Sequence, residues 1–334
     1  MNQTEMFALF KPEATKVDNA MREDLSTIES PELVKIIHHA IFSGGKRIRP
    51  LLTVFASQLG KARDQSQETG KTGDIYKFAG IFEYLHAASL LHDDVIDHAD
   101  KRRGHDSANV IWGNTPVILA GDFLHAGAML LAGAIGGIKC LKIIAKAISA
   151  MVEAEFLQLR NVEQIDCMEK NYFQVLNGKT AALISAACET GMIHAGGNDQ
   201  EQNALRSYGT NLGLAFQIVD DLLDYQGDSN KTGKATGNDF AEGKMTLPLI
   251  HALACSESDK QNVLMDLLKG DREERARNVN IAEKFIQEKN GFQYARNTAE
   301  GLISAAISEL NIFEDSPAKN ILISLAEYIP ARDK

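Results

Sequence analysis

Apolar residues recur at helical spacing along almost the whole chain, and this periodicity limits the fold more than any other feature of the sequence. PELVKIIHHAIFSGG (31–45) runs apolar at i, i+3 and i+4, starts behind Ser30–Pro31 and ends on Gly44–Gly45. Proline in a first turn and glycine past a last turn are the expected boundary residues: the first turn has no use for the missing N–H, and glycine tolerates left-handed backbone. The same period continues through RPLLTVFASQLG, DIYKFAGIFEYLHAASLLHDDVIDHA, LKIIAKAISAMVEAEFLQLR and EQNALRSYGTNLGLAFQIVDDLLDYQGD. No stretch alternates apolar and polar residues between hairpin turns. The pattern predicts an all-α chain of roughly a dozen helices. No linker divides it, so residues 1–334 are expected to form a single all-helical domain. Two polar, glycine-bearing stretches, 60–74 and 227–244, read as loops, and the second is long for a bundle connection.

A formal net charge of -10 argues against a nucleic-acid partner, which would call for a basic excess. Cys140, Cys167, Cys188 and Cys255 are widely spaced without a CxxC, so neither a zinc site nor a disulfide framework is expected. They read as small core residues in a reducing compartment. MNQTEMFALFKPEATK lacks the apolar core of a signal peptide, and a cytoplasmic location is expected. NTPVILAGDFLHAGAMLLAGAIGGIKC is broken by Asp122, His125 and glycines. It reads as one or two buried helices, not a membrane span.

Two acidic triplets stand out. Asp93, Asp94 and Asp97 share the spacing DDxxD with Asp220, Asp221 and Asp224. Residues three and four apart share a helical face, and like charges there destabilise a helix by a few tenths of a kcal/mol per pair. One such triplet is readily a solvated helix end; two, both behind apolar runs, are harder to dismiss. Carboxylate oxygens suit Mg²⁺, which keeps waters and shares its shell with substrate phosphates. The implied third partner is a diphosphate.

Cations suited to diphosphate lie nearby in sequence. GGKRIRP sets Lys46 and Arg49 at a helix start, where free N–H groups favour anions. Arg102 and Arg103 follow the first triplet, and either reads equally as a counter-charge to its neighbours. His86 lies two turns before Asp93. GKT (178–180) lacks the upstream glycine spacing of a P-loop; Lys179 beside an apolar face needs a partner. No nucleophile–base pair and no dinucleotide fingerprint appears.

In order along the chain, GGKRIRP, LHAASLLHDDVIDHADKRRG, NGKTAALISAA, FQIVDDLLDYQGD and GKATGNDFAEGKMTLPLI resemble the motif set of the trans-isoprenyl (polyprenyl) diphosphate synthases, from about Gly44 to Leu249. The resemblance implies the isoprenoid synthase fold: an all-α, mostly antiparallel helix bundle around a central apolar cavity, usually as a homodimer. It implies head-to-tail condensation of isopentenyl diphosphate onto an allylic diphosphate. By this resemblance Asp93, Asp94, Asp97, Asp220 and Asp224 hold Mg²⁺, three ions with bound diphosphate, and Asp221 supports the second motif. Arg102, Lys179 and Lys244, assisted by Lys234, contact the allylic diphosphate. Lys46, Arg49, His86 and Arg103 hold isopentenyl diphosphate, and Thr180 and Gln217 face the developing cation.

Product length is expected to depend on the turn before the first triplet. The residues four and five before Asp93 are Ser89 and Ala88, both small. A bulky aromatic there would floor the cavity one turn, about 5.4 Å, from the metal site. Without one the product is expected to grow to a medium or long chain near octaprenyl diphosphate, with Tyr84 and Leu85, Ile81 and Phe82, or Phe123 as the floor. A transient membrane contact would aid release of so apolar a product. The alternatives are a short-chain geranylgeranyl or farnesyl synthase, a class I terpene cyclase, which needs no isopentenyl diphosphate site, and a non-catalytic subunit of a heteromeric synthase.

Overall fold

The computed structural model describes residues 3–61, 74–102, 104–164, 168–227 and 237–332. The first helices are α1 (Gln3–Leu25), α2 (Pro31–Phe42), α3 (Ile48–Lys61), α4 (Asp74–Ile96), α5 (Ala108–Trp112) and α6 (Asn114–Gln164). They are followed by α7 (Glu169–Leu176), a π-helical turn at Asn177–Ala181, α8 (Ala182–His194) and α9 (Asp199–Gln226). Shorter helices then lead to Gly291–Glu309 and Pro317–Tyr328. Among the described residues the extended structure is one small hairpin, Lys101–Arg102 paired antiparallel with His105–Asp106. The all-α expectation holds. Arg103, Cys167 and Lys234 lie outside the described residues.

The local signals act as the residues dictate. Ser30 caps α2 by accepting the Leu33 N–H at 3.4 Å, with Pro31 as its first residue. Such a cap contributes about 1 kcal/mol. Beyond α2 the chain turns at Gly44 and Gly45, whose φ of 118° and 125° are open to glycine alone at no steric cost.

The chain divides into two compact units: Met1–Lys146 with Ala186–Arg206 and Ile312–Leu322, and Ala147–Ser185 with Ser207–Asn311 and Ile323–Lys334. In the first, α4 packs against α1, α2 and α3. Phe55, Phe78 and Phe82 are fully buried there. In the second, the helix Leu247–Ala254 packs on Gly291–Glu309 and on Val279–Glu288, with Tyr208 and Phe240 fully buried.

The 114–140 stretch departs from expectation. α6 breaks at Gly137 (φ 69°, ψ -174°), so two helices do meet there, but their outer face is not buried. Leu119, Leu130, Ile138, Val152 and Phe156 are all more than half exposed. Asn114–Val162 is also, among the described residues, the one helix long and apolar enough by composition to cross a membrane. Asp122 and His125 interrupt the pattern without directing the apolar face inward. Cys140 and Cys188 are buried, as expected of small core residues, and burial pushes the Cys140 thiol up to about 11. Cys255 is exposed, contrary to expectation.

Candidate functional site

In the first unit the site is built on α4. From Ile75 to Leu91 this helix is largely buried, but His86, Ser89 and Asp93 form a half-buried strip that continues to the exposed Asp97. These positions recur at three or four residues and so share one face. Asp94 falls off that strip. It is 3% exposed, and its Oδ1 accepts the Nε–H of Arg102 at 2.6 Å. The hairpin carries Arg102 back over the helix end, which is why a cation eight residues downstream reaches Asp94. Ser89 Oγ donates to the His86 carbonyl at 2.9 Å.

Of the residues expected to set product length, only Ser89 lies on the strip. Ala88 and Leu85 are buried, and Tyr84 is directed at α1: its hydroxyl donates to Asp24 Oδ2 at 3.1 Å and reaches the Met21 carbonyl at 3.4 Å. Ile81 and Phe82 are fully buried, whereas Phe123 is 41% exposed.

GGKRIRP divides its labour. Lys46 is exposed and Arg49 half-buried, while Arg47 between them is buried, with a φ of 53°. Its Nε donates to Asp18 Oδ1 at 2.7 Å, and its Nη1 to Glu83 Oε1 at 2.9 Å and to the Gly44 carbonyl at 3.1 Å. A buried arginine with two carboxylates and a carbonyl is a fully engaged anchor. Arg47 therefore fixes the loop that presents Lys46 and Arg49. The sequence reading passes over it because its charge looks like theirs.

In the second unit, Gly209, Gly213, Gln217 and Asp221 follow at intervals of four along α9. A Cβ on Gly213 would lie 2.6 Å from Ala181 Cα, and one on Gly209 2.7 Å from Ser185 Cα. The glycines thus let α9 approach the π turn and α8 closely. Gln217 then meets Thr180, whose hydroxyl donates to Gln217 Oε1 at 3.0 Å. π turns widen a helix locally and are frequent at functional sites. This one carries Gly178, Lys179 and Thr180. Lys179 has the partner its setting demands, Glu155 at 2.7 Å.

A cavity of about 120 Å³ opens here, lined among others by Lys179, Thr180, Gln217, Asp221, Asp239 and Lys244. Burial works against the Lys244 charge, but Asp239 at 3.2 Å and Glu242 at 2.7 Å outweigh it and raise its pKa. Asp221 is fully engaged inside: Tyr172 donates to Oδ2 at 2.7 Å and Gln217 Nε2 to Oδ1 at 3.0 Å. Burial, and then the charge of Asp239, raises its pKa well above the carboxylate range. Asp224 is pushed up to about 6 by burial and by Asp239, and its Oδ2 accepts the Asp239 N–H at 3.0 Å. Asp220, one-third exposed, pairs with Arg332 Nη1 at 2.9 Å, and the Arg332 guanidinium lies 4.4 Å from the Phe216 ring centre. Tyr172, Asp239 and Arg332 are not among the residues the sequence singles out; each acts through a contact made by folding.

Among the described residues no three His, Cys, Asp or Glu side chains converge to cage a metal. The outer carboxylates of each triplet still suit a hard cation that completes its shell with phosphate oxygens and water, as Mg²⁺ does.

These features agree with what the chain is similar to. A sequence profile described as Polyprenyl synthetase matches residues 30–285. The octaprenyl diphosphate synthase of Escherichia coli (strain K12) is 34% identical, over 100% of both chains. A short chain isoprenyl diphosphate synthase of Methanothermobacter thermautotrophicus is 34% identical over 98% of this chain and 99% of its own. The crystal structure of a polyprenyl synthase from Caulobacter crescentus CB15, complexed with calcium and isoprenyl diphosphate, superposes with a TM-score of 0.85 at 33% identity, covering 98% of this chain and 97% of that one. The chain belongs to the polyprenyl synthetase family, and its helices build the isoprenoid synthase fold.

Proposed function

We propose that this chain condenses isopentenyl diphosphate head-to-tail and in trans onto an allylic diphosphate, giving a product near octaprenyl diphosphate. The observation that carries the reading is the cavity of the second unit, where Lys179, Lys244, Thr180 and Gln217 line one small space together with Asp221 and Asp239. Lys179 and Lys244, with Arg102 and Lys234, would hold the allylic diphosphate. Lys46, Arg49, His86 and Arg103 would hold isopentenyl diphosphate. Asp93, Asp97, Asp220 and Asp224 would carry Mg²⁺, and Asp94 and Asp221 would support them from their buried positions. Bound ions would supply Lewis-acid stabilisation of the charge on the departing diphosphate. The Thr180 and Gln217 oxygens face the site where the allylic cation develops, and their fixed dipoles favour it without reorganisation. Apolar walls keep water from quenching the cation. The departing diphosphate is the base that takes the final proton.

Chain length rests on Ser89, the small residue of the α4 strip nearest the triplet, and on the likeness to the octaprenyl synthase. The short-chain relative of equal identity makes product length the quantity to measure. The exposed apolar face of α6 fits a homodimer, and a dimer in the cytoplasm with brief membrane contact is consistent with a soluble enzyme releasing an apolar product.

The test is product analysis. Purified protein is incubated with farnesyl diphosphate, excess isopentenyl diphosphate and Mg²⁺, and the dephosphorylated alcohols are resolved by length. A ladder ending near octaprenol is expected, and Ser89→Phe should end it earlier. A single C20 product would establish the short-chain alternative. No product from a folded, dimeric protein would overturn the reading in favour of a non-catalytic subunit.

A further inference from the structure

The hydrogen bonds around Asp221 run in one direction. The Tyr172 phenol has one proton to donate. It goes to Asp221 Oδ2 at 2.7 Å, and the other carboxylate oxygen accepts Gln217 Nε2 at 3.0 Å. An amide has one donating and one accepting end. Asp221 therefore takes the donating end of Gln217. The amide oxygen is left on the opposite side, where it accepts from Thr180 at 3.0 Å in the cavity wall. Asp220 and Asp224, four apart, form a separate row of α9, with contacts of their own to Arg332 and Asp239.

We propose that Asp221 and Tyr172 are positioning residues that lock the Gln217 amide with its oxygen toward Thr180 and the cavity, so that negative rather than positive dipole meets the developing allylic cation. The inference rests on the reading of Thr180 and Gln217 as cation-facing groups. A reversed amide would turn its N–H groups to the cation and withdraw the donor that Asp221 Oδ1 accepts. Tyr172 holds the second carboxylate oxygen, so that Asp221 cannot swing away from Gln217.

Three variants test this: Asp221→Asn, Tyr172→Phe, and the exchange Asp221→Asn with Gln217→Glu. In the first, the amide introduced at position 221 can donate as well as accept, which releases the amide of Gln217. In the exchange the carboxylate sits at position 217 and accepts from the amide at position 221, so an oxygen faces the cavity again. Asp221→Asn should lower kcat about thirtyfold, with KM for both diphosphates and Mg²⁺ affinity by calorimetry within about twofold of wild type. The exchange should recover about tenfold of that loss, and Tyr172→Phe should lower kcat about fivefold. The inference is overturned if Asp221→Asn weakens Mg²⁺ binding tenfold or more, since the residue is then a ligand. It is also overturned if kcat is unchanged, or if the exchange is no better than the single variant. Should Asp221→Asn fail to fold, Tyr172→Phe decides by the same split between kcat and KM. If the wild-type protein itself makes no product, the functional reading falls and this inference with it; if only the variants behave otherwise, this inference falls alone.

Discussion

The two acidic triplets spell the same DDxxD pattern, and in both the middle aspartate is buried, Asp94 to 3% and Asp221 to 6% exposure. They are held by opposite chemistry. Asp94 pairs with a cation from its own neighbourhood, Arg102, brought back by a tight hairpin. Asp221 is held by an uncharged hydroxyl and an amide, one of them 49 residues upstream. A nearby cation offsets the cost of burying a carboxylate; neutral donors satisfy its hydrogen bonds but leave its charge uncompensated. That is why Asp221 is raised, with Asp239 adding to the effect. A repeated motif is therefore not a repeated device: its outer carboxylates stay more exposed, and its middle one answers to whatever the fold packs behind it.

The largest expected effect separates outer from middle positions. Asp93→Ala and Asp220→Ala should each lose about a thousandfold in turnover while staying folded. Asp94→Asn should instead lose about 1–2 kcal/mol of stability, because a buried partner of Arg102 is removed. Turnover measured beside thermal denaturation checks both, and equal metal loss in Asp93→Ala and Asp94→Asn would break the distinction.

A smaller effect concerns pH. Asp224 is raised in the folded state to about 6, and Asp221 is raised as well. The metal-free folded protein therefore binds protons more tightly than the unfolded chain. The stability these groups contribute is present below the ordinary carboxylate value and is lost as pH rises, through about 6 for Asp224 and at higher pH for Asp221. The melting temperature of the metal-free protein should accordingly gain less between pH 5 and 7 in wild type than in Asp224→Asn. Mg²⁺ binding should weaken on going from pH 7.5 to 5.5, as protons compete for the same oxygens.

The smallest effect sharpens the contrast between the two arginines. Arg332 engages Asp220, an outer carboxylate, whereas Arg102 engages a middle one. Arg332→Gln should tighten Mg²⁺ binding about threefold by removing a competitor; Arg102→Gln should leave Mg²⁺ affinity alone and raise KM for the allylic diphosphate. Calorimetry with Mg²⁺ alone distinguishes the two, and equal shifts would show that both arginines serve the same purpose.

Helices were legible because they depend on short-range spacing: the Ser30 cap, Pro31, the Gly44–Gly45 stop and the i, i+4 faces all lie within a few residues of one another. The triplets and the GKT segment were legible for the same reason. The exposed face of α6 was not, because an apolar helix reads alike whether it faces a core or a partner. The direction of Tyr84 was not legible, because spacing gives its turn but not its direction, which the contact with Asp24 sets.

The sequence by itself determined the helical class, the two carboxylate triplets and the cations available for phosphate, since each follows from residue type at fixed local spacing. Tertiary structure alone decided which aspartate of each triplet turns inward, that Arg47 anchors while Lys46 remains exposed, and that Tyr172 reaches Asp221. These outcomes depend on burial and on partners far away in the chain. A buried polar group takes whichever partner the packing delivers, because leaving it without one costs about 1–3 kcal/mol.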